Sequence, residues 1–154
     1  MNNPYEELVE KVRSLELTMA FVNAGGATGL FNLFKIPGCS RVMLEARMLY
    51  AESSFSSFLK SEKTGKFVSQ QMADQLSAQL YKNTAAEICF SLTCALKTDR
   101  QRKGADCGYL SVRKNGNTVA QGKIEVEGAS RADQDDFISE KTVQLIIDYL
   151  ETIK

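Results

Sequence analysis

Leu17-Thr18-Met19-Ala20-Phe21-Val22, then Asn23-Ala24-Gly25-Gly26-Ala27-Thr28-Gly29, then an apolar run from Leu30 to Phe34, reads as strand, glycine-rich turn and short helix. Residues 17 to 22 have strand propensity and are apolar on both faces, the pattern of a strand covered on both sides. Such a strand implies a sheet with helices above and below it.

The flanking sequence supplies those helices. On the N-terminal side, Asn3-Pro4-Tyr5-Glu6 offers a cap, a proline at the first helical position and a capping-box acid, with Leu8, Val9, Val12 and Leu15 on one face. On the C-terminal side, Ile36-Pro37-Gly38 ends the short helix, and Val42, Leu44, Ala46, Met48 and Tyr50 alternate as a second strand. Ser53 to Lys60 predicts a short helix, Ser61 to Lys66 a polar loop, and Ser69 caps a helix whose inner face carries Met72, Ala73, Leu76 and Leu80. Ile88, Phe90 and Leu92 alternate as a third strand, followed by a polar loop from Lys97 to Asp106. Gly108 to Arg113 and Thr118 to Glu127 form an antiparallel hairpin, because Asn115-Gly116 supplies the positive φ angles of a type I′ turn. Asp133, Asp135 and Asp136 precede a helical stripe of Ile138, Thr142, Leu145, Ile146, Tyr149, Leu150 and Ile153. The expected fold is α/β, a three-layer α/β/α sandwich around a mixed sheet, as a single domain over residues 1–154.

Composition narrows the function. A chain of 154 residues with 44% hydrophobic and 25% charged residues is globular. Lys plus Arg equals Asp plus Glu at 19 each, so no overall field draws nucleic acid or an anionic membrane. Lys97, Arg100, Arg102 and Lys103 around Asp99 are a basic stretch without aromatics, the composition of a solvated loop. No apolar run is long enough to span a bilayer, and the first residues are too acidic and amphipathic for a signal peptide, so a cytoplasmic location is expected. There is no histidine, and Cys39, Cys89, Cys94 and Cys107 contain no C-x-x-C pair, which argues against zinc or any other metal. Reduced buried thiols are expected, with Cys89 and Cys94 placed to approach each other at a strand end. No cofactor motif is present.

A strand, glycine turn and helix N-terminus together present backbone N–H groups to an anion. Here Gly25, Gly26 and Gly29 occupy that turn, without a G-x-G-x-x-G or G-x-x-x-x-G-K-[ST] pattern, so a plain tight turn is the competing reading.

Thr18 to Gly29, then Ile36-Pro37-Gly38-Cys39-Ser40, Tyr50, Val68-Ser69, Ser91 to Leu96 and Gly108-Tyr109-Leu110 resemble, in order and spacing, the C-terminal domain of the CinA family. That family carries T-[LV]-A-x-A-E-S-C-T-G-G, [VI]-P-G-A-S, T-Y-S-N-x-x-K, A-V-S, T-G-[IV]-A-G-P and a closing G-x-[VI] strand. The resemblance implies the same sandwich and an amidohydrolase of nicotinamide mononucleotide that releases ammonia. It also implies a serine nucleophile working without histidine, assisted by the tyrosine and lysine of T-Y-S-N-x-x-K, and a homo-oligomer.

The departures fall on the chemistry. The nucleophile position is Ala24 or Gly25, the lysine position lies at or near Phe55, and the T-G-[IV]-A-G-P loop, where Thr93 is retained as a ligand-binding candidate, has lost its glycines and proline. The arginine usual near the start of the last helix falls around Ser139. Losing one member of such a set commonly costs on the order of 10⁴- to 10⁶-fold in rate. The first expectation is therefore a non-catalytic homologue whose Gly25, Gly26 and Gly29 still bind nicotinamide mononucleotide or another phosphate-bearing small molecule. The alternative is an active amidohydrolase with Thr28 or Ser40 as nucleophile, Tyr50 as acid or base, and Lys60 or Lys63 replacing the lysine. Each has a structural explanation as well: Thr28 as an early-helix residue, Ser40 as a turn residue after Pro-Gly, Tyr50 as half-buried packing. Phe55, Phe58 and Phe67 are expected at the surface, as an oligomer contact.

Overall fold

Asn3 caps the first helix as its sequence predicts: in the computed structural model, its side chain accepts from the amides of Tyr5 and Glu6, and Pro4 opens α1 (Pro4–Ser14). The structure describes residues 3–61, 65–99 and 104–153. The chain continues through β1 (Met19–Ala24), a 3₁₀ helix (Thr28–Lys35), a 3₁₀ turn (Cys39–Arg41), β2 (Met43–Leu49), α2 (Glu52–Leu59) and α3 (Gln70–Thr84). It closes with β3 (Ile88–Ala95), β4 (Cys107–Lys114), β5 (Asn117–Glu125) and α4 (Arg131–Leu150).

These strands form one five-stranded sheet in the order β2-β1-β3-β4-β5. β1 is parallel to both β2 and β3, while β4 and β5 are antiparallel additions. The β4–β5 turn has Asn115 at φ 50° and Gly116 at φ 85°, the signs a type I′ turn requires.

Side-chain parity divides the interior into two cores. Met19 and Phe21 of β1 and Ile88, Phe90 and Leu92 of β3 face α1, the 3₁₀ helix and α4, with Phe21 stacked on Phe90 at 5.3 Å. Ala20, Val22 and Ala24 face α2 and α3, where Phe55, Phe58, Met72, Leu76 and Leu80 are buried. The three-layer α/β/α sandwich with a mixed sheet is the observed architecture.

Several local expectations change. Phe55 and Phe58 are 5% and 4% exposed and Phe67 is partly buried, because α2 lays its aromatic face on α3 instead of offering it to solvent. Tyr50, expected to be half-buried, is 63% exposed just beyond the end of β2. Cys89 and Cys94 belong to different cores on opposite faces of β3, so they do not approach each other, and all four cysteines are free and buried. β3 is buried nearly throughout instead of on alternate residues, because helices cover both of its faces. α4 starts earlier than its acids suggested: Ser130 caps it by accepting from the amide of Asp133.

Candidate functional site

Parallel strands end together, and the space beyond their carboxyl ends is the usual ligand position in open α/β sheets. Here the ends of β2, β1 and β3 open into a cleft of about 150 Å³ on the face covered by α2 and α3. Ala24 and Gly25 from β1 and its turn form its floor with Thr93 and Cys94 of β3. Tyr50 and Glu52 form one side, and Phe55, Phe67 and Val68 the other. The Phe55 and Phe67 rings lie 4.7 Å apart at 39°, so this wall is aromatic. Glu52 is the single charged residue among the described lining residues, and it is an acid.

Gly25 is fixed from three directions. Its φ of +79° suits glycine, its amide donates to the Leu49 carbonyl at 3.2 Å, and its carbonyl accepts from Arg131 Nη2 at 2.8 Å. A Cβ there would strike the Cys94 carbonyl. The Thr93 hydroxyl, fully buried, donates to the Ser69 carbonyl at 3.4 Å, while the Ser69 hydroxyl caps α3 by accepting from Met72 N at 3.1 Å. Burial pushes the Cys94 thiol up to about 12, with the Asp135 and Cys107 charges acting in the same direction and Arg131 against it. At neutral pH that sulfur is a protonated thiol and no nucleophile.

The sequence-predicted residues separate into two groups. Gly25, Tyr50 and Thr93 meet in the cleft. Thr28, Gly29 and Gly26 do not. Thr28 N and Oγ1 donate to the Asp135 carboxylate, each at 3.0 Å, and Gly29 N donates to it at 2.9 Å. The amides that open the 3₁₀ helix are therefore satisfied by a carboxylate of the chain itself. Gly29 permits close packing of that helix on α4, since a Cβ there would lie 2.8 Å from Ser139 Oγ. Gly26 plays the same role beneath Leu96, whose Cδ1 is 2.6 Å from the Cβ position.

Ser40 lies in the exposed turn before β2 and Tyr50 just after it. A strand of seven residues, about 20 Å long, separates them, so within one chain they do not share a site. Lys60 is exposed at the far end of α2 from the cleft. Lys63, Arg100, Arg102 and Lys103 lie outside the described residues.

Sequence reasoning missed Arg131 and Asp135. Ser139, where the arginine was placed, is buried two turns into α4, and the arginine at the start of that helix is Arg131, bonded to the carbonyls of Gly25 and Lys97. Ser130, a good cap directly before Arg131, was the available signal.

The sequence matches no family model and no curated protein. Its structure, however, superposes over nearly its full length on known ones. The competence or damage-inducible protein from Enterobacter asburiae is 14% identical with a TM-score of 0.84, covering 97% of this chain and 99% of its own. CihA, the competence/damage inducible protein from Agrobacterium tumefaciens, is 18% identical with a TM-score of 0.80, covering 97% of both chains. A CinA superfamily protein from Klebsiella pneumoniae is 9% identical with a TM-score of 0.86, covering 98% of this chain and 99% of its own. The chain has the CinA fold. The cleft at the ends of β1, β2 and β3 lies, in this chain, within a sandwich of that fold. Among the described residues no helix of this CinA-like chain is long and apolar enough to cross a membrane.

Proposed function

We propose that this protein is a non-catalytic CinA-like binding domain whose cleft takes a single flat ring, such as the nicotinamide of a nucleotide. The observation that carries this is the floor of the cleft, where the end of β1 presents Ala24 and Gly25 and therefore no attacking atom. Thr28, the hydroxyl of the turn, is engaged with Asp135 outside the cleft. Thr93 is turned to the Ser69 carbonyl, and the exposed phenol of Tyr50 has no lysine among the lining residues.

Size and charge favour the ring over the phosphate. A closed apolar cavity of about 150 Å³ accommodates benzene, and the cleft here is of similar volume with an aromatic wall. A phosphate finds no cation among the lining residues and meets Glu52.

The test pairs turnover with titration. Ammonia release from nicotinamide mononucleotide stays at background, while nicotinamide shifts the amide resonances of Gly25, Phe67 and Val68 and inorganic phosphate does not. Ala24→Leu, which fills the floor, abolishes the nicotinamide shifts. Ammonia release that Tyr50→Phe or Thr28→Ala removes overturns the proposal in favour of an active amidohydrolase. No shift with nicotinamide removes the ring.

A further inference from the structure

Two donors on the floor of the cleft are engaged within the chain. Gly25 N donates to the Leu49 carbonyl at 3.2 Å, and the Thr93 hydroxyl donates to the Ser69 carbonyl at 3.4 Å. Two helices begin beside the cleft. At the start of α3 the Met72 amide is taken by Ser69 Oγ at 3.1 Å, and α2 opens with Glu52 itself. A helix start carries roughly half a positive charge, whereas the Glu52 carboxylate carries a whole negative one.

What the cleft offers a ligand is therefore acceptors and aromatic surface. The Cys94 carbonyl is turned toward Gly25, close enough that a Cβ there would strike it. Tyr50, Phe55 and Phe67 contribute three aromatic rings, whose faces are negative. Glu52 adds the carboxylate, exposed and without an ion-pair partner among the described residues.

Cations are held away from it. Arg131 is bonded to the carbonyls of Gly25 and Lys97, and Arg47 pairs with Glu45 while lying over the Phe58 ring at 5.5 Å. That last contact is a planar cation on an aromatic ring of α2, the chemistry the cleft would extend to a ligand. An acid at a helix start commonly serves the helix dipole alone. Here it also stands beside three rings, in a cleft of about 150 Å³ with no cation among its described lining residues.

We propose that the cleft takes a small organic cation, an N-alkylated ring or ammonium, with its charge against Glu52 and its carbon surface against Phe55 and Phe67. Aromatic rings grouped around a carboxylate recognise such ions, because an alkylated nitrogen spreads its charge over carbon and is weakly hydrated. The inference rests on the reading of this cleft as a ligand site and adds the sign of the ligand's charge.

Titration of the full chain, followed through the amide resonances of Gly25, Phe67 and Val68, compares four probes. They are nicotinamide, its ring-N-methylated cation, tetramethylammonium and nicotinate, an anion of similar size. The methylated cation binds about fivefold or more tighter than nicotinamide, and nicotinate binds weakest. Glu52→Gln, at an exposed position that tolerates the change, cuts that preference to about twofold or less, and Glu52→Lys reverses it. Phe67→Leu weakens the cations more than it weakens nicotinamide. Nicotinamide binding as tightly as its methylated cation, or a preference that survives both Glu52→Gln and Phe67→Leu, overturns the inference and leaves the ring. Tetramethylammonium binding where nicotinamide does not removes the ring and upholds the cation. No shift with any of the four overturns both.

Discussion

Asp135 does for the 3₁₀ helix what a bound anion does at other helix starts: it receives two amides and a hydroxyl whose donors otherwise lack helical partners. Hydrogen bonds to a charged group contribute about 1.5–3 kcal/mol each at most when buried, and less at a partly exposed carboxylate. Asp135→Ala is therefore expected to lower unfolding free energy by about 1–3 kcal/mol in urea, with Asp135→Asn losing less. Gly29→Ala tests the neighbouring contact: its methyl would meet Ser139 Cβ at 2.9 Å, and overpacking of that kind costs about 1–3 kcal/mol. If Ser139→Ala recovers part of that loss, the two residues are in the contact described. Cys94 makes a different residue-scale prediction. Its thiol titrates near 12 in the folded chain against 9.0 for an unhindered one. The unfolded state therefore loses its proton first, so this group's contribution to stability is intact below about pH 9 and declines as pH rises toward 12. Urea midpoints measured across that range should fall, and Cys94→Ala should flatten the fall.

At the scale of elements, the first turns of α4 act as a clamp across the ends of β1 and β3. Arg131 holds the Gly25 and Lys97 carbonyls, Gln134 accepts from Lys97 N at 2.7 Å and donates to Asp106, and Asp135 holds the 3₁₀ helix. Arg131→Ala frees the Gly25 carbonyl, and hydrogen exchange of the amides from Gly25 to Gly29 should accelerate while those of β1 stay protected. Exchange rates unchanged across the turn would show that the arginine is dispensable. The sequence carried the elements but not this clamp. Asn3-Pro4, Ser69 and Asn115-Gly116 are local signals whose chemistry acts within a few residues, and each produced the element expected of it. The Asp135 to Thr28 bond joins residues 107 apart, and no local pattern encodes it. Ser40 and Tyr50 show the same limit from the other side: ten positions apart in sequence, they are held at opposite ends of an extended strand. Phe55 and Phe58 were misplaced because an eight-residue helix shows too little periodicity to reveal that a neighbouring helix covers its aromatic face.

For the molecule as a whole, the sheet separates two cores and buries a thiol in each, with Cys89 on the α3 side and Cys94 on the α4 side. Burial raises both, so thiol reagents at neutral pH should titrate neither until the chain unfolds. Early modification of Cys89 alone would reveal that the α3 layer opens independently. The long connection that Asp135 closes, from the 3₁₀ helix to α4, lies within the larger of these cores. Once the chain has folded, that carboxylate is a tethered ligand, and tethering over a short reach corresponds to an effective concentration of about millimolar or more. Any free anion seeking the amides of Thr28 and Gly29 competes with a rival that never diffuses away, so phosphate at low millimolar concentration should leave both amide resonances where they stand.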